Sequence, residues 1–403
     1  MDSNQLFEMA LNLGKEWTVR ECRFEGEPKK LLLNLEPKRG LQWKCPECGT
    51  DGPAHDVVEK RWRHLDFFQY ECELGAKVPR CRCAAHGVRT VEVPWARPGS
   101  GFTLMFEALV MLLCQQMPVA DVAELLNVQD TRLWRVVCAH VEKAQAGRDW
   151  SKVEKILIDE TSARRGHRYV TNFVDAQSRE LLLMVEGRKA EAVQEFVEAL
   201  QARGGDPAQI KWVGLDMSGA YKSGVEKYLP NAEKSSDHFH IMQLAGNALD
   251  EVRRKVQAEC SELKGARWAI LGNECNKTDD ELDLRRAIAS AYPKLGRAMG
   301  LRELLQDVLG ERSEEGLRGW YHWACRCKLE PFQRLAQTIK RHWDGILGFF
   351  KSGITSAAIE AINGKIQLAK RMARGFRNFA FFRAISYLKA AKLSFNLPSL
   401  KPA

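Results

Sequence analysis

The chain predicts a multidomain α/β protein: a small metal-binding module, a helical module, and a mixed β-sheet domain interrupted by a long helical stretch. Three observations carry this. Residues 41–95 hold five of the twelve cysteines and little helix signal. Residues 102–148 read as helices, whereas residues 151–241 alternate strands with helices. Residues 242–350 are helix-like and rich in charge and tryptophan, and a last helical block covers 354–394. With 403 residues the chain can form two or three domains with cores of their own.

No apolar run reaches the roughly 18–20 residues of a membrane span. Met1-Asp-Ser-Asn-Gln-Leu-Phe-Glu8 lacks the basic and apolar regions of a signal peptide. A cytoplasmic protein with no membrane partner is therefore expected, and its cysteines read as thiols or metal ligands rather than disulfides.

Residues 1–40 alternate weakly, as in Lys30-Leu-Leu-Leu-Asn-Leu35, and read as a short β segment. Cys45-Pro-Glu-Cys48 follows, and Cys83-Ala-Ala-His86 repeats its spacing. Two such knuckles bring four soft or borderline ligands to one Zn²⁺ in tetrahedral geometry. Four protein ligands leave no position for water, so the zinc is structural. Cys81, Cys72, His64 and His55 are alternative ligands. Lys60-Arg-Trp-Arg-His64 and Arg80-Cys-Arg82 add basic and aromatic side chains nearby.

Pro94 and Pro98-Gly-Ser-Gly101 read as a linker. Met117 to Leu126 then forms a short helix, with Pro118 acceptable in its first turn. Asn127-Val128 turns, and Asp130 or Thr131 caps a second helix, Arg132–Val141. Small Ala123 lets the two helices cross closely. The pattern is that of a helix-turn-helix, whose second helix enters the major groove and would present Arg132 and Arg135 to DNA.

Four apolar strands follow: Lys155–Asp159, Tyr169–Asp175, Leu181–Val185 and Ile210–Asp216. An amphipathic helix lies at Ala190–Arg203, a short helix at Gly219–Tyr228, and a fifth strand near Ser235–His240. Three consecutive strands can form a meander, and helical crossovers can add the others, giving a mixed sheet. If strands one and four are neighbours, Asp159 and Asp216 come side by side at their ends, where ligands of such sheets gather. Asp175 is a rival acid, but it starts a hairpin turn and reads as a turn residue. A strand-end Asp also often only caps a turn or helix.

Glu360 lies on a late helix whose Asn363, Gln367, Lys370 or Arg371, and Arg374 share its face by i, i+3, i+4 and i+7 spacing. From Gly364 to Ala403 there are nine Lys/Arg, including Arg377, and no Asp or Glu. Phenylalanines interleave with them, which fits a packed helix with its basic side toward phosphate. Two strand-end carboxylates and one on a late helix can hold two divalent ions, Mg²⁺ or Mn²⁺. Such a pair suits in-line attack on a phosphodiester. His238 and His240 of Asp237-His-Phe-His240 read as core or supporting residues.

Over nearly its whole length the chain resembles the insertion-sequence transposases of the L-three family. The residues that carry the resemblance are Cys45-Pro-Glu-Cys48, Trp62-Arg-His-Leu-Asp66, Cys83-Ala-Ala-His-Gly87, Asp159-Glu-Thr161 and Gly214-Leu-Asp-Met-Ser218. They continue with Asp237-His-Phe-His240, Glu360-Ala-Ile-Asn363, Lys370-Arg371 and Gly375-Phe-Arg-Asn378. The resemblance implies an N-terminal zinc finger, a helix-turn-helix and a ribonuclease-H-like catalytic domain with a helical insertion. It implies that Asp159, Asp216 and Glu360 are the metal ligands of an aspartate-aspartate-glutamate triad. It also implies binding of the element's terminal inverted repeats, followed by DNA cleavage and strand transfer.

The expected boundaries are an N-terminal β segment at 1–40, a zinc-binding domain at 41–95, and a helix-turn-helix domain at 96–150. The catalytic domain would start at 151–241, continue past a helical insertion at 242–350, and end with the Glu360 helix and basic tail at 351–403. The partners are terminal-repeat and target DNA, and joining two ends argues for a homodimer or higher assembly on DNA in the bacterial nucleoid. Competing readings are a non-catalytic DNA-binding regulator and a ribonuclease-H-like nuclease that cuts without joining.

Overall fold

The computed structural model describes residues 3–11, 13–164, 168–187, 190–215, 221–236 and 238–400, except the side chains of Ser261 and Cys275. Asp216, Met217, Ser218 and Asp237 lie outside the described residues. The chain divides into two compact units. One comprises Met1–Gln145, Met372–Leu388 and Leu393–Ala403, and the other Ala146–Arg371 and Lys389–Lys392. Among the described residues no single helix is long and apolar enough to cross a membrane.

The first unit begins with α1 (Ser3–Leu11), β1 (Trp17–Glu25) and β2 (Lys30–Pro37). It continues through β3 (Trp43–Lys44), β4 (Asp51–Gly52), β5 (Ala54–Arg63), β6 (Glu71–Cys83) and β7 (Gly87–Thr90). One sheet runs β1-β2-β6-β5, with β7 also paired to β6. The expected split at residue 40 is therefore corrected: β2 pairs in parallel with β6, Leu31 opposite Cys72 and Leu35 opposite Ala76. The reason is burial. Leu31, Leu33 and Leu35 share one core with Trp17, Trp62, Leu74 and Trp95, and a two-stranded β1–β2 hairpin alone is at best marginally stable in water.

Helices α2 (Leu104–Gln116), α3 (Val119–Leu125) and α4 (Asp130–Ala146) complete the N-terminal part of this unit. Thr103 caps α2 through its hydroxyl, which accepts from the Phe106 amide. Pro118 sits at the N-cap of α3, where its missing N–H costs nothing. Asn127 takes the left-handed turn conformation at φ 50°. Glu107, fully buried in α2, accepts from Arg97 at 2.9 Å and from Ser100 at 2.6 Å, and lies 2.7 Å from His140 Nε2 of α4.

The second unit holds β8 (Lys155–Arg164), β9 (Arg168–Asp175), β10 (Glu180–Glu186), α5 (Glu191–Gln201), β11 (Trp212–Leu215), α6 (Lys222–Tyr228) and β12 (Glu233–Ser236). The sheet order is β10-β9-β8-β11-β12. β8, β9 and β10 form an antiparallel meander, while β8, β11 and β12 run parallel. Alternation along β8 sends Ile156 and Ile158 into the core beneath α5, with Phe173, Val193 and Phe196.

Seven helices then pack around their own core: α7 (His238–Glu259), α8 (Arg267–Leu271), α9 (Asp279–Ala291), α10 (Pro293–Glu311), α11 (Glu314–Arg326), α12 (Glu330–Arg341) and α13 (Trp343–Ser352). Trp320, fully buried there, donates to Leu301 O at 2.7 Å. The expected strand through His240 is corrected: β12 ends at Ser236 and His238 opens α7. His238 stacks on Phe349 of α13 at 4.7 Å, a packing that a helix start supplies.

Helix α14 (Ala357–Met372) carries Glu360, and α15 (Phe379–Ala390) follows it. The assignment of the entire 351–403 segment to the catalytic domain is also corrected. Met372–Leu388 groups with the first unit, because Phe381 of α15 stacks on Trp134 of α4 with ring centroids 4.1 Å apart.

Candidate functional site

The zinc ligands are built by the turns at β3–β4 and β6–β7. Cys45 N donates to Thr50 O and Gly49 N to Cys45 O, closing the first knuckle. Gly49 and Gly87 occupy positive φ, which lets each knuckle reverse sharply. The four ligand atoms of Cys45, Cys48, Cys83 and His86 lie within 4.8 Å of one another. Cys48 and Cys83 sulfurs are 3.6 Å apart, and His86 Nδ1 is 3.6 Å from Cys83 and 3.8 Å from Cys45. Tetrahedral Zn²⁺ with bonds of about 2.3 Å to sulfur and about 2.0 Å to nitrogen requires edges of roughly 3.5–3.8 Å. The donor set fits a structural zinc.

The Thr50 hydroxyl, 3.3 Å from Cys48, holds that thiol down to about 6 and favours the ligating thiolate. Glu47 lies 3.8 Å from His86 Nε2, leaving Nδ1 as the ligand nitrogen. The alternative ligands have other roles. Cys81 and Cys72 are core residues, with burial pushing Cys72 up to about 12. His64 Nδ1 lies 2.8 Å from the Thr103 hydroxyl, and His55 Nδ1 lies 3.2 Å from Arg82.

On α4, Arg132 and Arg135 are both exposed, and Arg132 lies 4.3 Å from the centroid of the Phe102 ring. Ala123 is buried, and the Val128 amide donates to its carbonyl at 2.9 Å, so the α3–α4 turn is tight. After α14, Arg374 and Arg377 are exposed, with Arg374 at φ 54°.

In the second unit, Asp159 and Glu360 line one pocket, with Ser235, His240, Thr355 and Ser356. Leu215, the residue before Asp216, pairs with Ile158, the residue before Asp159. Asp159 Oδ1 accepts from the Glu160 amide at 2.7 Å, and Oδ2 accepts from Asn363 Nδ2 at 2.7 Å. The Ser356 hydroxyl, just before α14 and one turn ahead of Glu360 in the chain, donates to Glu360 Oε1.

Glu160 points to the opposite face. There Tyr221 is pushed above its ordinary range by burial first, with Glu160 and Asp159 adding to the shift. Asp175 has the turn role, accepting from the Gln177 and Ser178 amides at 3.0 and 3.2 Å.

The apolar face of α14 buries Ile359, Ile362, Ile366 and Ala369. Its polar face is fastened to β8: Gln367 donates to the Thr161 hydroxyl at 2.6 Å and to Ser162 O at 2.9 Å. Lys370 also donates to Ser162 O, and burial lowers its pKa. Lys370 thus anchors the helix, while Arg371 is exposed. Sequence reasoning passed over Asn172, Ser356 and Thr355. Asn172 carried a signal, as the lone amide in the apolar run Tyr169-Val-Thr-Asn-Phe-Val174.

A zinc ribbon, a helix-turn-helix and an acid-bearing mixed-sheet domain together define a DNA-acting protein of modular build. Family models agree segment by segment. A zinc-finger model of transposases of the IS204/IS1001/IS1096/IS1165 group matches residues 41–86. The helix-turn-helix domain of transposase family ISL3 matches 91–141, and the ISL3 transposase domain matches 156–386. The chain is 30% identical to the transposase for insertion sequence element IS1557 of Mycobacterium tuberculosis, covering 97% of this chain and 96% of the relative. It is 28% identical to the transposase for IS1001 of Bordetella parapertussis, covering 89% and 91%. The chain belongs to the ISL3 transposase family, and DNA is its partner.

Proposed function

We propose that this chain cleaves the ends of an insertion sequence and joins them to target DNA, using Asp159, Asp216 and Glu360 as ligands for Mg²⁺ or Mn²⁺. The carrying observation is that α14 delivers Glu360 to the pocket lined by Asp159 while its Asn363 hydrogen-bonds Asp159. The strand order, a three-strand meander followed by two parallel additions, supports a ribonuclease-H-like reading of the domain.

Two carboxylates beside a solvent-open pocket are hard oxygen donors, which suit these cations. Ions bound there would make water or a 3′-hydroxyl nucleophilic and neutralise the leaving oxygen. The chain's own part is positional. Ser356 orients Glu360, Asn363 holds one oxygen of Asp159, and Gln367 with Lys370 fixes α14 to β8.

Exposed Arg132 and Arg135 would meet the terminal inverted repeats in the major groove. Arg371, Arg374 and Arg377 would hold phosphates. Joining two ends calls for at least two protomers on DNA. A light-scattering mass fitting one protomer per paired-end complex would count against that.

The test is a strand-transfer reaction with a labelled terminal-repeat duplex ending in a 3′-hydroxyl. Native protein with Mg²⁺ should yield joined product, and Asp159→Asn should yield none while binding the repeat as before. Cleavage without joining would favour a nuclease. Undiminished joining by Asp159→Asn would overturn the metal-ligand assignment.

A further inference from the structure

Asp159 on β8 and Asn172 on β9 are paired residues of the antiparallel ladder. Asn172 is fully buried, and its Nδ2 donates to Asn363 Oδ1 at 2.7 Å. Asn363 Nδ2 in turn donates to Asp159 Oδ2 at 2.7 Å. A carboxylate offers only acceptors, so Asn363 must turn its amide hydrogens toward Asp159 and its oxygen away. That oxygen then needs a donor inside the protein, and Asn172 supplies one. The carboxylate therefore sets the direction of the whole chain.

The cost of this arrangement is visible. Asn172 Oδ1 is buried with no hydrogen-bond partner among the described residues. An unpaired buried amide oxygen destabilises a fold. The residue earns its place through its NH₂ group.

Helix docking does not depend on it. Gln367 and Lys370 tie α14 to Thr161 and Ser162 independently, so losing Asn172 would free the Asn363 amide to rotate without releasing the helix.

We infer that Asn172 and Asn363 form an amide relay that positions Asp159 for metal binding. The inference rests on the reading of Asp159 as a metal ligand. Partners of this kind orient a ligating carboxylate, and their loss weakens metal affinity by about 10–100-fold. The relay leaves Asp159 Oδ1 turned away from Asn363, toward the Glu160 amide.

The experiment measures Mn²⁺ binding to the full-length protein by electron paramagnetic resonance, alongside thermal melting. Asn172→Leu should stay folded and bind Mn²⁺ about tenfold more weakly. Asn363→Ala, which keeps the helix and deletes the middle amide, should weaken binding to a similar degree. A purely structural role predicts a lower melting temperature with unchanged Mn²⁺ affinity in the folded Asn172→Leu protein, and that result would overturn the relay. Asp159→Asn separates the two levels. If it abolishes tight binding while both amide variants bind as native, the relay alone fails. If it too binds as native, Asp159 is no ligand and the relay falls with that reading.

Discussion

Helix α13 lies backbone-to-backbone against β12, and Gly348 makes this possible. A Cβ on Gly348 would stand 2.0 Å from Lys234 O and 3.0 Å from its carbonyl carbon. Ordinary contact begins near 3.4 Å, so Gly348→Ala must push α13 away by about 1.4 Å. Strand β12 is held by its ladder to β11, so the helix is the part that yields. From Gly348 the chain passes through Ser352, which donates to Ser235 at 3.2 Å, to Ile354 and then α14.

Overpacking of this kind costs about 1–3 kcal/mol of stability. Displacing a catalytic group by about 1 Å can cost roughly 10²-fold in rate. We expect Gly348→Ala to lower the melting temperature by several degrees and strand transfer by about two orders of magnitude. Gly319→Ala is the control: it lies on the exposed face of α11 with nothing within 4 Å, and should gain about 0.5–1 kcal/mol. Native melting and native rate in Gly348→Ala would refute the idea that α13 packing sets the position of Glu360.

Three further outcomes are expected. Purified protein should contain one zinc per chain by atomic absorption, and Cys83→Ser should lose it together with terminal-repeat binding in a gel-shift assay. Glu107 is raised by burial but lowered more by its hydrogen bonds to His140 and Ser100 and by Arg97, for a net lowering. A lowered folded pKa contributes stability above the unfolded value that is lost as pH falls through the folded one. Glu107→Gln should therefore cost about 3 kcal/mol near pH 7, with the gap to native narrowing below about pH 4.5 in chemical denaturation. Arg135→Ala should weaken repeat binding and lower the slope of log affinity against log salt by about one if it meets a phosphate.

Much of the second unit was legible in the sequence, because the apolar runs are short and each is bounded by turn residues. Strands one and four do pair, from Trp212 opposite Lys155 to Leu215 opposite Ile158. The zinc ligands were legible because soft ligands at repeated spacing leave few other uses. Parallel pairing of β2 with β6 was not, since nothing local in Lys30–Pro37 tells a separate hairpin from a strand of a larger sheet. The return of Phe381 to Trp134 was equally hidden, because aromatic residues interleaved with charges fit any packed helix. Asn172 was missed for a different reason. A buried amide in an apolar strand reads as a flaw until the carboxylate it serves, through a helix 191 residues away in sequence, is in view.

The most direct measurement is excision in cells. A marker placed between the inverted repeats that flank this gene should be excised by the native protein and retained with Glu360→Gln, although both proteins occupy the repeats. Equal excision by the two would remove Glu360 from the metal site and contradict the account.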